Sequence, residues 1–294
     1  MDEKFEIMKN GKGFIAALDQ SGGSSGKTLR LYGIGEDQYS TDEEMFNLIH
    51  EMRARVIKSN SFTSDKILGV ILFEKTMNNM IDGEYTSEYL WNNKHILSFL
   101  KVDKGLADEE DDVQVMKDIP GLEETLKQAV SHGVFGTKMR SVIKRANPEG
   151  IRKVVKQQFE IANLIASFGL IPIIEPEVSI DAPDKEECER ILKEEVKDFL
   201  HILPEGTKVM FKFTIPTVDN FYADLMEDEK VVRIVALSGG YTCADACDRL
   251  ARNHGMIASF SRALLESLRV TDTEEEFDNK LKDAIDMIYD ASIK

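Results

Sequence analysis

Eight short, nearly continuous apolar runs punctuate the chain, and longer stretches of mixed polarity separate them. The runs span 13–19, 67–74, 97–104, 135–140, 170–177, 209–216, 231–239 and 256–262. Runs that are apolar on both faces suit parallel strands covered on each side. The intervals between them are long enough for a crossover helix. Ile151, Val154, Val155, Ala162 and Ile165 recur at helical spacing among charged residues, which predicts a helix there. Thr273, followed by Glu274, Glu275 and Glu276, is a capping-type start for a last helix carrying Phe277, Leu281, Ala284, Ile285 and Ile288. Eight such units predict one (β/α)8 barrel domain, an α/β TIM barrel, over residues 1–294. A doubly wound open sheet is the alternative, and it is weakened because no Gly-x-Gly-x-x-Gly follows the first run. No linker or low-complexity stretch divides the chain. The polar segment 76–95 predicts a loop-helix excursion after the second strand, and the acidic run 108–112 a solvated loop without cation-ligand spacing.

In a barrel, alternate residues point inward and active sites form at the carboxyl ends of the strands. Leu97, Phe99, Lys101 and Asp103 share one face; so do Gly136, Lys138 and Arg140, and Ile171, Ile173, Glu175 and Glu177. Lys212 shares a face with Met210 and Thr214, and Asp19 ends the first run on the face of Ile15 and Ala17. Arg262 ends the eighth run on the face of Ala258 and Phe260. If these faces are the inward ones, charges ending six strands converge at one mouth. Barrel interiors are normally filled by Val, Ile and Leu, so such a convergence reads as a functional site.

Lys212 is the sharpest of these, a lysine in the middle of the apolar run Val209, Met210, Phe211, Phe213, Ile215. Desolvation disfavours an ammonium and frees the amine, a nucleophile for carbonyls by Schiff-base chemistry. Taken alone, Lys212 also fits a strand-end residue that reaches solvent or pairs with a carboxylate. Ser238-Gly239-Gly240 follows the seventh run and Ser261-Arg262 ends the eighth, where barrels often bind phosphate. Glycine lets backbone N–H groups approach the anion and arginine adds a bidentate clamp. Ser21-Gly22-Gly23-Ser24 after the first run suits a second anion.

Composition narrows the partners. The chain has 294 residues, 42% hydrophobic and 31% charged, as a soluble globular protein does. No apolar stretch reaches membrane-spanning length, and the start lacks the pattern of a signal peptide. A net charge of -16 argues against general nucleic-acid binding but leaves room for a small anionic substrate in a locally basic cleft. Three cysteines, Cys188, Cys243 and Cys247, form no disulfide framework, and a cytoplasmic setting is expected. No metal site is expected: His50, His95, His132, His201 and His254 are scattered, and Cys243 and Cys247 lie at helical spacing that suits core packing.

With these residues in order, the chain resembles the class I, Schiff-base-forming fructose-1,6-bisphosphate aldolases, and most of all their short bacterial form. The motifs are Gly11 to Gly13 with Asp19-Gln20-Ser21, Lys101 to Gly105, Lys138-Met139-Arg140, Ile174 to Glu177, Lys212, and Leu237 to Gly240. The resemblance implies reversible retro-aldol cleavage of a phosphorylated ketose, with no cofactor, since an iminium does a Lewis acid's work. It implies Lys212 as the Schiff-base residue, with Lys138 and Arg140 near its amine, on the inward face of the adjoining strand. Glu175 is expected as acid/base for carbinolamine dehydration, tuned by Glu177, and Asp19 as the base for the bond-breaking hydroxyl. Lys101, Ser21 and Ser24 would hold the distal phosphate, and Ser238, Gly239, Gly240, Ser261 and Arg262 the proximal one. Gln20 stands where animal members carry a glutamate, and Ser261 where they carry a glycine. Tyr289 does not occupy the place of their terminal tyrosine and reads as helix packing beside Ile285 and Ile288. A tagatose-1,6-bisphosphate or dual-specificity aldolase, and a non-enzymatic phosphosugar-binding scaffold, are the competing readings.

Overall fold

All eight apolar runs are strands of one sheet: β1 (Phe14–Leu18), β2 (Ile67–Leu72), β3 (Leu97–Lys101), β4 (Gly136–Ile143), β5 (Ile171–Val178), β6 (Val209–Thr214), β7 (Val231–Leu237) and β8 (Ile257–Ala258). This is a computed structural model that describes residues 2–21 and 23–294, without the side chains of Asp2, Gly23 and Arg262; Gly22 lies outside the described residues. Neighbouring strands pair in parallel and in chain order from β1 to β8. A doubly wound sheet would reverse its order at a switch point, and this one does not. The Ala17 N–H donates to Phe260 O at 3.3 Å and brings β1 against the end of β8, so the sheet is a nearly closed barrel.

Alternation along the strands sorts the core into two layers. Ile15, Ala17, Ile71, Leu97, Phe99, Ile173, Met210, Val235 and Ile257 fill the barrel. Phe14, Ala16, Leu18, Val70, Leu72, Met139, Ile174, Phe211, Phe213, Ile234 and Ala258 pack outward under the helices. Phe99 leaves no room for a side chain on β4 beside it: a Cβ on Gly136 would meet its ring at 2.8 Å and Ile171 O at 2.1 Å. The helix Asp2–Asn10, not foreseen in the sequence, lays Met8 into the inner cluster, with Phe5 and Ile7 against it. The helix Pro148–Ser167 buries Ile151, Val154, Val155, Ala162 and Ile165. Thr273 and Glu276 form a capping box for the last helix, Glu274–Ser292, as expected. Tyr289 packs against the core of that helix and Lys66 Nζ lies 5.6 Å from its ring centre. Among the described residues no helix is long and apolar enough to cross a membrane.

Two polar excursions carry order of their own. The excursion at 76–95 contains a helix, Thr86–Lys94, but also a hairpin, Met80–Ile81 with Glu84–Tyr85. Asp82 and Gly83, with φ of 51° and 87°, make its two-residue turn, and an Asp-Gly pair is itself a sequence signal for a hairpin. The acidic run 108–112 is the loop expected, exposed at 108–110 and held by ion pairs. Glu109 pairs with Lys144 at 2.5 Å, Asp111 with Lys153, and the adjoining Val113–Gln114 adds an antiparallel strand to β4.

Candidate active site

The inward positions at the carboxyl ends of the strands meet in a cleft of about 590 Å³. Asp19, Lys101, Lys138, Arg140, Glu175, Glu177 and Lys212 all line it. Four of them follow an apolar inward residue by two positions: Ala17 precedes Asp19, Phe99 precedes Lys101, Ile173 precedes Glu175 and Met210 precedes Lys212. The barrel thus exchanges a greasy floor for an ionic top within one turn of the pleat.

Four buried charges form a continuous chain. Lys212 Nζ is 3.2 Å from Glu175 Oε1, Glu175 Oε2 is 2.6 Å from Lys138 Nζ, and Lys138 donates to Asp19 Oδ2 at 3.1 Å. Lys212, Lys138 and Glu175 are each at most 4% exposed. Burial pushes the Lys212 amine down and the Lys138 charge adds to that, against the opposing pull of Glu175 and Asp19; the amine is held below the ordinary lysine range. Burial also works against the charge of Lys138, but Asp19, Glu175 and Asp103 outweigh it and lift this lysine well above that range. Burial alone would raise the Asp19 carboxyl; Lys138, Lys212 and Lys101 overcome it and hold Asp19 well below the usual carboxylate range. The arrangement holds one neutral-leaning amine, one fixed cation and one fixed anion within a few ångströms.

The basic neighbours of Lys212 are not on an adjoining strand, as the sequence suggested. Lys138 and Arg140 lie on β4, and β5 stands between them and β6, so Glu175 is interposed. Glu177 does not tune Glu175 by sharing a carboxylate environment. It is paired with Arg140 Nε at 2.6 Å, and the two lysines are the charged partners of Glu175. The charged neighbours of Glu175 are thus two amines rather than a second carboxylate.

The parity of the eighth strand also differs from expectation. Ala258 and Phe260 belong to the outer layer, whereas Ile257 faces inward and Ser259 and Ser261 line the cleft. Arg262 begins the short helix Arg262–Leu265, and its side chain lies outside the description.

Ser21, Ser24, Ser238, Gly239 and Gly240 also line the cleft. Gly239 and Gly240 have φ of 61° and 119°, and a Cβ on Gly239 would meet Ile180 Cγ2 at 2.7 Å. Glycine is required there for both reasons. Ser24 is more engaged than expected: its hydroxyl accepts from Ser21 N–H at 2.9 Å and donates to Ser21 O at 2.8 Å. Lys101 donates to Asp103 Oδ1 at 2.7 Å, and Asp103 Oδ2 is buried with no hydrogen-bond partner among the described residues.

Sequence reasoning missed Lys27 and Ser259 on the cleft wall, the grip of Asp103 on Lys101, and Arg53 behind the first loop. Arg53 had a legible signal. It occupies the series Ile49, Met52, Arg53, Val56, Ile57, the buried stripe of the helix Asp42–Lys58. Its guanidinium donates to Thr76 Oγ1 at 2.6 Å, to Gln20 O at 2.6 Å and to Gln20 Oε1 at 3.2 Å. Burial lowers it to about 10, with Asp19 pulling the other way. Gln20 and Ser261, both set apart from the animal pattern in the sequence, are in contact with each other: Gln20 Nε2 donates to Ser261 Oγ.

A buried lysine beside a carboxylate, at the mouth of a (β/α)8 barrel, suits a barrel enzyme that works on a carbonyl through a Schiff base. Residues 2–217 match the model of the class-I fructose-bisphosphate aldolase family. The fructose-bisphosphate aldolase class 1 of Clostridium acetobutylicum is 60% identical over 282 residues, 96% of each chain. The solved fructose-bisphosphate aldolase of Plasmodium falciparum, in complex with TRAP and a small-molecule inhibitor, superposes with a TM-score of 0.76. That match covers 99% of this chain and 94% of the other at 18% identity, a likeness of fold. The chain belongs to the class I fructose-bisphosphate aldolases, lyases that cleave their ketose bisphosphate reversibly through a lysine Schiff base.

Proposed function

We propose that Lys212 carries the Schiff base, with Glu175 as its proton partner and Asp19 as the base for carbon-carbon cleavage. The observation that carries this is the unbroken sequence of contacts from Lys212 through Glu175 and Lys138 to Asp19. The Lys212 ammonium gives a proton to Glu175, 3.2 Å away, and the free amine attacks the ketone. Proton transfer from nitrogen to oxygen gives the neutral carbinolamine. Glu175 returns its proton to the carbinolamine hydroxyl, water leaves, and the iminium forms. Asp19 then accepts the proton of the hydroxyl on the far carbon of the scissile bond, the carbon that becomes the aldehyde. The bond's electron pair flows into the iminium, leaving an enamine on Lys212 and releasing the aldehyde. Lys138 stays charged throughout, keeps Asp19 ionised and fixes Glu175 between two amines.

The two phosphates fix the reacting carbons against Lys212. Lys101, Ser21, Ser24 and Arg140 are assigned to the distal end, and Ser238, Gly239, Gly240, Ser261 and Arg262 to the proximal end. Support for the proximal site comes from the Ser238-Gly239-Gly240 turn at the end of β7. Among the described residues nothing accepts from the N–H groups of Gly239 and Gly240, which leaves them for an anion. Four cations and four carboxylates in the cleft pair with one another, so phosphate binding draws on loop N–H groups and on Lys27 and Arg262 as well. A cytoplasmic setting is supported by three buried cysteines without a disulfide.

The test is borohydride reduction in the presence of dihydroxyacetone phosphate, followed by peptide mapping. The label should fall on the peptide containing Lys212. Labelling of Lys101 or Lys138 instead would overturn the assignment. Lys212→Arg should abolish trapping, since a guanidinium is not deprotonated to attack a carbonyl.

A further inference from the structure

We propose that Ser261 binds the proximal phosphate through its side-chain hydroxyl, and that Gln20 and Arg53 are positioning residues that aim this hydroxyl into the cleft. The inference rests on the reading of the β7 and β8 loops as the seat of that phosphate.

Gln20 follows Asp19 at the end of β1, and Ser261 lies past β8, so the two meet across the seam of the barrel. Gln20 Nε2 donates to Ser261 Oγ and, at 3.4 Å, to Ala17 O. An amide nitrogen only donates, so the serine oxygen is the acceptor and keeps its own proton for another partner. Among the described residues Ser261 Oγ donates to nothing, and the residue lines the cleft.

The opposite end of the amide sets its orientation. Arg53 Nη2 lies 3.2 Å from Gln20 Oε1, and a guanidinium has donors only. The amide oxygen must therefore face Arg53 and the amide nitrogen must face Ser261. Arg53 is buried and anchored by Thr76 Oγ1 and the Gln20 carbonyl, both at 2.6 Å. The donors thus run in one direction, from Arg53 to Gln20, from Gln20 to Ser261, and from Ser261 to an acceptor in the cleft. A phosphate monoester is an acceptor-rich anion that fits the end of this series.

A glutamate at position 20 would reverse the last two links. Its carboxylate would accept from Arg53 and from the Ser261 hydroxyl, turning that donor out of the cleft and adding negative charge beside the phosphate. The amide and the serine are therefore a matched pair, and each makes sense only with the other.

The experiment compares affinities for dihydroxyacetone phosphate and unphosphorylated dihydroxyacetone, read by borohydride trapping at Lys212. Ser261→Ala should lower the preference for the phosphorylated ketone by about tenfold or more, the usual worth of a hydrogen bond to a charged group. Gln20→Glu should lower it by a similar factor. The double variant should fall no more than about twofold below Gln20→Glu alone, because the hydroxyl is already turned away. Ser261→Thr, which retains a hydroxyl, should restore most of the preference. A purely structural role for Ser261 would change both ketones equally and leave the ratio untouched. The inference is overturned if Ser261→Ala keeps the ratio within about twofold while trapping at Lys212 proceeds, or if the two losses multiply in the double variant. Absence of trapping at Lys212 in the unmodified enzyme would instead overturn the reading of the site beneath it.

Discussion

Lys138 and Lys212 contact the two oxygens of one carboxylate, Glu175, at 2.6 and 3.2 Å, yet their surroundings drive them in opposite directions. Lys138 has Asp19 and Asp103 as further anionic neighbours and stays charged. Lys212 has burial and the Lys138 cation against it and leans towards the free amine. The same side chain is a fixed charge in one place and, under the proposed function, the nucleophile in the other, and burial and neighbouring charges set the distinction.

The direction of the Lys212 shift fixes a pH dependence. With the amine held below its ordinary value of 10.5, the rate of imine formation should rise with pH and level off before that value. The sign for stability follows too. Between the lowered and ordinary values the unfolded chain holds a proton that the folded one lacks, so stability relative to Lys212→Met should rise with pH across that window. Stopped-flow imine formation and denaturant titrations over alkaline pH test this; a flat rate profile up to 10.5 would contradict it.

Asp19→Asn and Glu175→Gln should separate the two proton transfers. Asp19→Asn preserves shape and removes the base, so carbon-carbon cleavage should fall by roughly 10²–10⁴-fold while imine still forms. Glu175→Gln should slow imine formation itself by a comparable factor, because dehydration needs a proton donor. Single-turnover kinetics with acid quench and borohydride trapping distinguish them, and the opposite pattern would reverse the assignments.

Arg262→Ala should weaken binding of dihydroxyacetone phosphate by about ten- to a hundredfold, equivalent to roughly 1.5–3 kcal/mol for a charge-assisted contact. The loss for unphosphorylated dihydroxyacetone should be much smaller. Equal losses for both would assign Arg262 to the fold.

Gly239→Ala should both loosen phosphate binding and destabilise the protein by about 1–2 kcal/mol, the cost of a side chain in the left-handed region. The clash with Ile180 Cγ2 at 2.7 Å adds to it. A double variant with Ile180→Ala should recover part of the clash and none of the backbone cost, a difference readable in denaturant midpoints.

Barrel architecture and the inward charges were legible because both are written as local patterns. Eight apolar runs and their parity place Asp19, Lys101, Lys138, Glu175 and Lys212 at one mouth, where all five line the cleft. Relations between distant segments were not legible. Nothing in the spacing of Glu175 and Glu177 says that one turns to Arg140 while the other bridges two lysines. The eighth strand misled because only Ile257 and Ala258 are paired in the sheet, and parity counted from so short a strand is easily set one residue out. Arg53 escaped because its target, the Gln20 loop, is 33 residues away along the chain and folds back only in the finished barrel.

The helix Asp2–Asn10 gives the barrel a blind end. With Met8 beneath the inner layer and Ile15, Phe99, Ile173 and Met210 above it, sugar, water and products all share one doorway. Under the proposed assignment the ketone half stays bonded to Lys212 as an enamine after cleavage, while the aldehyde half is free to leave through that doorway. In the synthetic direction the same covalent bond sets the order: the enamine must form on the lysine before an aldehyde entering through the one opening can be joined to it.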